Sequence, residues 1–142
     1  MQSTPWYHWP ISLLALIWHL GGAVGYCLTQ LGVQAYLDQL PGDQLAYFRA
    51  LPLWVDAAWG IAVWVGLLGA WLLVVRHGAS VLLLALSFAA LLAASAWLIA
   101  LSDPRLGEVT GPAGVWVMVG ATVAALLFYL YARAMRQAGV LG

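Results

Sequence analysis

Four long runs of apolar residues occupy most of this 142-residue chain. A helix that crosses a bilayer needs about 20 apolar residues in succession, and each run is long enough to supply them. Apolar residues make up 65% of the sequence and charged residues only 7%, whereas soluble domains carry about 25% charged residues. A water-soluble fold of this size would lack the polar groups to cover its surface, so the sequence predicts an all-α integral membrane protein.

The four runs predict a single membrane domain that spans residues 1–142. Backbone groups in hydrocarbon must form their hydrogen bonds within the same segment, which selects helices over open strands. The tight turn between the second and third runs makes those helices antiparallel neighbours, and the expected product is an antiparallel four-transmembrane-helix bundle. The predicted spans are residues 11–31, 53–75, 79–101 and 113–135, each with bounds uncertain by a few residues.

The connection over residues 32–52 is the one sizeable polar segment. Apolar residues recur at helical spacing on both sides of Pro41 and Gly42, and Asp43 offers an N-cap to the second piece. The sequence therefore predicts short amphipathic helices in this first extracytoplasmic connection, either lying on the membrane surface or forming a lid over the bundle. The connection over residues 102–112 contains glycine and proline and predicts a plain loop.

The charged residues predict an orientation. The side that holds both termini and the turn at Arg76 carries three arginines and no acid, whereas the other side carries two arginines and all five acids. By the positive-inside rule, both termini face the cytoplasm. The chain has no lysine and no net charge, so nothing in it indicates binding to nucleic acid.

Small residues at four-residue spacing predict where the helices pack most closely. Between helices in lipid, close packing drives association, because burial of apolar surface no longer does so. The predicted packing residues are Gly21 and Gly25 on the first helix and Ala58, Ala62, Gly66 and Ala70 on the second.

His19 is the one ionisable residue expected near the middle of the membrane, where such a residue is a candidate functional site by default. It has the chemistry to ligate a haem or a chlorophyll-type pigment, or to relay a proton. The structural alternative is a neutral imidazole that is hydrogen-bonded to Ser87, Ser95, Thr122 or a carbonyl of a neighbouring helix.

Three further polar residues are expected at one level near the outer end of the bundle: Tyr26, Gln30 and Asp56. They predict a polar ligand pocket there, closed by residues 32–52. Asp56 has two other interpretations, as a first-turn acid at the positive end of a helix and as an ion-pair partner of Arg49 or Arg105. Cys27 is the only cysteine, and the sequence contains no catalytic set and no metal motif.

Two stretches of the chain carry a resemblance to known proteins: Leu16–Gly22 with Tyr26 and Gln30, and Leu51–Val55 with Ala57–Trp64 and Gly66–Gly69. They resemble a family of small, uncharacterised bacterial inner-membrane proteins, some of which are described as sugar-transporter-like. The resemblance implies a four-helix layout and a bacterial inner-membrane location, and it implies no established activity. Members often carry Asn after the first-helix tryptophan, where this chain has His19.

Three hypotheses for function follow. The first is a non-enzymatic accessory or scaffold subunit that packs within a larger membrane complex or against its own copies. The second is a small carrier or binding bundle for an apolar or weakly polar ligand that enters from the outer side. The third is a pigment- or haem-binding subunit that uses His19. No catalytic residue, metal site or nucleic-acid partner is predicted, and a cofactor is expected only under the third hypothesis.

Overall fold

The computed structural model describes residues 3–142, which form helices, turns and connections with no strand among them. Four of the helices are long and apolar enough to cross a membrane. This finding confirms the four predicted spans of a multi-pass, all-helical membrane protein. In chain order the elements are α1 (His8–Gln30), α2 (Gln34–Leu37), α3 (Gly42–Arg49), α4 (Leu53–Val74), α5 (Ser80–Ala96, continued by a π-helical turn at Trp97–Leu101) and α6 (Leu106–Gln137).

The main departure from the predicted bounds is the start of α6. The sequence predicts a plain loop as far as Pro112, but helical structure already begins at Leu106. The backbone N–H of Arg105 donates to the Glu108 carboxylate at 3.1 Å, which holds this first turn. The backbone then breaks at Gly111, whose φ of 70° is readily adopted only by glycine. The glycine and proline therefore mark a kink inside a helical segment and not a loop.

Helix α4 lies between α1 and α5, and α6 packs against α5. The small-residue stripe of α4 faces its neighbouring helices: Ala62, Gly66 and Ala70 are buried and Ala58 is half-buried. The backbones of α1 and α6 approach each other closely at few places. The open side of the bundle is consequently the side between α1 and α6.

Two groups of contacts define the two ends of the bundle. At the first, called the terminal end, the start of α1 meets the end of α4, and the Arg76 guanidinium donates to the Thr4 hydroxyl at 2.6 Å. The turn after α4 also bonds to Gly142, because the Gly142 backbone N–H donates to the Arg76 carbonyl at 3.0 Å. At the second, called the loop end, the end of α1 meets the start of α4.

The polar connection over residues 32–52 contains two short helices, α2 and α3. Helix α3 begins at Gly42 after Pro41, so Asp43 lies in its first turn and the N-cap predicted for Asp43 is wrong. Tyr47 and Phe48 of α3 pack against a buried cluster at the loop end. That cluster consists of Val55, Ala94, Leu98 and Leu106.

Candidate functional site

A cleft opens between α1 and α6 near the middle of the bundle, and its floor consists of the buried lining residues His19, Ala62, Val63, Ser87 and Ala125. Its volume is about 460 Å³. No residue that lines it is charged. Ile17 is 66% exposed and Trp18 is 45% exposed, so the cleft opens sideways, toward the space that lipid tails fill around a membrane protein. The walls include Ile17, Trp18 and Gly22 of α1, Trp59 of α4, Leu91 of α5 and Ala121 of α6.

His19 lies on the floor of this cleft and is 95% buried, with 5% of its surface exposed. Its Nδ1 lies 2.8 Å from the Ala15 carbonyl oxygen, one turn earlier in α1. A carbonyl only accepts, so the ring hydrogen is on Nδ1. The other nitrogen, Nε2, has no hydrogen-bond partner within residues 3–142. A side chain that lines the cleft thus carries a nitrogen without a hydrogen-bond partner.

Gly66 and Ser87 hold the His19 ring from the α4 and α5 side. A Cβ atom at position 66 would lie 2.5 Å from both His19 Nε2 and Ser87 Oγ. Only glycine therefore leaves room for the ring at this point. The Ser87 hydroxyl donates to the Ala62 carbonyl at 2.6 Å, so it links α5 to α4.

The partner of His19 differs from those considered from the sequence. The imidazole bonds to a carbonyl of its own helix, and not to Ser87, Ser95, Thr122 or a neighbouring helix. Ser95 and Thr122 instead bond to each other, with 2.9 Å between their hydroxyl oxygens. The polar side chains of α5 and α6 serve helix packing, and this leaves His19 Nε2 free.

The structure brings Tyr26, Gln30 and Asp56 to the loop end, where they contact other side chains. The Gln30 amide donates to the Asp56 carboxylate at 2.6 Å. The edge of the Tyr26 ring meets Trp59, with 4.9 Å between ring centroids. Asp56 therefore pairs with an amide and not with Arg49 or Arg105. These three predicted site residues line neither the cleft nor a second cavity, which lies beneath α3 at the loop end.

The two predicted packing glycines of α1 occupy open positions. Gly21 is exposed and lines the cleft, and a Cβ atom there would meet nothing within 4 Å. Gly25 is half-buried, and the nearest atom to such a Cβ is the Tyr36 hydroxyl at 3.8 Å. Within this chain neither glycine is needed for a close helix contact.

A second cavity, of about 490 Å³, lies at the loop end beneath α3. Its lining includes three carboxylates, from Asp43, Asp103 and Glu108. Tyr47 reaches across it to Ser102, with 3.1 Å between the two hydroxyl oxygens. The connection over residues 32–52 does cover a cavity, but that cavity lies against the segment from Trp97 to Val109 and not at Tyr26 and Asp56.

A buried cluster around His8 at the terminal end is absent from the predicted sites. His8 is fully buried, and its ring nitrogens lie 3.2 Å from the Leu73 carbonyl oxygen and 3.2 Å from the Tyr131 hydroxyl oxygen. The Ser12 hydroxyl donates to the His8 carbonyl at 2.6 Å. The spacing of His8 and Ser12, one helical turn apart, was the available signal. His77, at the same end, instead accepts the backbone N–H of Ala79.

Within residues 3–142, no group of three or more His, Cys, Asp or Glu side chains is placed to hold a metal ion. No protein-family model matches this chain, and no curated protein and no solved structure matches it either.

Proposed function

We propose that this chain is a bacterial inner-membrane protein whose helices form an antiparallel bundle with both termini in the cytoplasm. The contacts of the start of α1 with the end of α4, and of the end of α1 with the start of α4, support the antiparallel arrangement. The excess of arginine at the terminal end supports the orientation.

Single cysteines test this orientation in a background in which Cys27 is replaced by Ala. A maleimide that cannot cross the membrane is expected to modify Asp103→Cys from the outside of intact spheroplasts and to spare Arg76→Cys until the membrane is opened. Modification of both positions from the same side would contradict the proposed topology.

The function that the geometry supports best is a small, non-enzymatic binding bundle, or carrier, for an apolar or weakly polar ligand that occupies the cleft. The observation that carries this proposal is the unpaired Nε2 of His19, which lines a cavity without charged residues. A polar group without a partner in apolar surroundings raises the free energy, and a ligand that pairs with it recovers that cost. The volume of about 460 Å³ falls within the range of small-molecule sites.

The ligand reaches this cleft sideways from the lipid. This route differs from the one predicted from the sequence, in which the ligand enters from the outer side beside Tyr26 and Asp56. Tyr26 packs on Trp59, and Asp56 is held by Gln30. The gap between α1 and α6 supplies the sideways opening instead.

Photolabelling of the purified protein in detergent tests this proposal. An alkyl diazirine, which inserts into nearby side chains when illuminated, is expected to label residues 17–22 and 121–125 in a saturable manner. Unlabelled probe should compete for these positions but not for the rest of the lipid-facing surface. Labelling that is even along α1 and α6 and does not saturate would contradict the proposal.

Two glycine variants provide a matched comparison for that experiment. A Cβ at Gly21 or at Gly120 meets nothing within 4 Å, yet only Gly21 lines the cleft. Gly21→Leu is expected to remove most of the saturable labelling because it fills the cavity, and Gly120→Leu is expected to retain it. Equal labelling of the two variants would mean that the probe occupies another site.

A second candidate function is that of an accessory subunit in a larger membrane complex, and the exposure of α6 favours it. Only 6% of the apolar 18-residue stretch of α6 is buried inside the bundle, against 39% of the corresponding stretch of α4. Trp116 and Val117 are more than 70% exposed. Native mass measurement after mild extraction is expected to find a partner subunit or a second copy bound, and a strictly monomeric particle would contradict this candidate.

A further inference from the structure

We infer that the cleft selects an apolar molecule whose polar group is a hydrogen-bond donor, of the long-chain or polycyclic alcohol class. This inference rests on the proposed binding function and names the ligand chemistry of the same site. Its basis is the hydrogen-bond pattern on the floor of the cleft, where the two polar atoms beside Gly66, His19 Nε2 and Ser87 Oγ, have only acceptor capacity left.

The acceptor character of both atoms follows from the carbonyls they face. His19 uses its Nδ1 hydrogen on the Ala15 carbonyl, which leaves Nε2 with a lone pair. Ser87 uses its hydroxyl hydrogen on the Ala62 carbonyl, which leaves only lone pairs on Oγ. A ligand carbonyl or ether oxygen placed here would bring one acceptor against another, whereas a hydroxyl supplies the missing hydrogen.

The surroundings keep His19 neutral, so that Nε2 stays an acceptor. A charged side chain in the hydrocarbon layer is strongly disfavoured unless an opposite charge accompanies it. Apart from His19 itself, the cleft lining contains no acidic and no basic side chain. An imidazolium at this position would have no counter-ion, and the neutral ring with its hydrogen on Nδ1 is the stable form.

The space at Nε2 favours a small donor over the metal centre of a pigment or haem. The α4 backbone at Gly66 and the Ser87 hydroxyl crowd this nitrogen, since one point beside Gly66 lies 2.5 Å from both side chains. A macrocycle bound through its metal would extend on every side of the axis from Nε2 to the metal and overlap this wall. A hydroxyl needs only a narrow approach.

A matched pair of probes tests the inference on the wild-type protein. One is a long-chain alcohol with a diazirine in its alkyl chain, and the other is the methyl ether of the same alcohol, which lacks the donor. The alcohol is expected to half-saturate labelling of the cleft at a roughly tenfold lower concentration than the ether, the value of one buried hydrogen bond. In His19→Leu this difference should disappear, and His77→Leu, which changes a histidine outside the cleft, should retain it.

The outcomes separate the inference from the proposed function. Saturable labelling of the cleft by both probes at equal concentrations would overturn the donor preference and leave the binding function standing. Absence of saturable labelling by either probe would overturn the binding function itself. A tenfold preference that survives in His19→Leu would overturn the role given to this side chain. Protein that is purified coloured, with an absorbance that changes in His19→Leu, would overturn the inference in favour of a metal macrocycle.

Discussion

His8 and His19 lie about three turns apart on the same buried face of α1, but they are used in opposite ways. Both ring nitrogens of His8 have partners, on α4 and on α6, so this side chain ties three helices together. His19 bonds only within α1, and its second nitrogen has no partner within residues 3–142. Because apolar burial does not drive association between helices in lipid, the bundle closes where polar side chains link α1 to α6 and opens where such links are absent.

The apolar packing follows the same division. One buried cluster lies toward the terminal end and includes Ala15, Leu73 and Ala132. A separate cluster lies at the loop end and includes Val55 and Leu98. The cleft lies between these two cores, so both ends can keep the helices in place while the middle admits a ligand.

The largest expected loss of stability comes from Gly66→Ala, on the floor of the cleft. Gly66→Ala places a Cβ atom 2.5 Å from His19 Nε2 and Ser87 Oγ, so a buried ring must move. We expect the free energy of unfolding in detergent to fall by about 2 kcal/mol, as for other overpacked cores. Gly120→Ala is the control, because a Cβ there meets nothing within 4 Å. An unchanged stability of Gly66→Ala would mean that the middle of the bundle is loosely packed. The contrast drawn between the surroundings of His8 and of His19 would then be wrong.

The next largest loss of stability is expected for His8→Leu, and its comparison with His19→Leu distinguishes the two histidines. His8→Leu removes the hydrogen bonds to α4 and α6 and leaves the Leu73 carbonyl and the Tyr131 hydroxyl without this partner. We expect a loss of about 1–2 kcal/mol in the free energy of unfolding, measured by titration with SDS in mixed micelles. His19→Leu is expected to cost less than half as much, because its one bond lies within α1. Equal losses would show that both histidines tie helices together.

The number of spans could be predicted because the thickness of the bilayer fixes the length of an apolar run. The pairing of side chains could not. When nearly every face of a helix is apolar, the sequence carries little information about how each helix is rotated toward its neighbours. His8, Ser87 and Trp59 therefore look alike as isolated polar or aromatic residues, although one closes the bundle and two line the cleft.

The polar residues of the loop end illustrate the same limit. Depth along a helix follows directly from the rise per residue, which is why Gln30 and Asp56 were expected at one level and do meet. Whether they surround a cavity depends on the neighbouring side chains. Trp59 fills the space beside Tyr26, and the cavity beneath α3 lies elsewhere.

A smaller effect is expected where α5 and α6 are linked. Thr122 donates to the Met118 carbonyl, so the hydrogen between Ser95 and Thr122 comes from Ser95. Ser95→Ala is expected to lower the free energy of unfolding by about 0.6 kcal/mol, the average for hydrogen bonds between membrane helices. A double-mutant cycle with Thr122→Val isolates this bond. A coupling energy of zero would mean that the bond does not hold α6 against α5.

The smallest expected effect concerns Ser80, whose hydroxyl is fully buried and has no hydrogen-bond partner within residues 3–142. Ser80→Ala removes an unpaired polar atom and breaks no bond, so we expect the free energy of unfolding to stay unchanged or to rise slightly. Ser87→Ala is the matched control, because it breaks a bond between α5 and α4 and is expected to lower stability by about 0.6 kcal/mol. If Ser80→Ala lowered stability as much as Ser87→Ala, the Ser80 hydroxyl would have a partner in the membrane, and the terminal end would be held by one more link than the contacts around His8 supply.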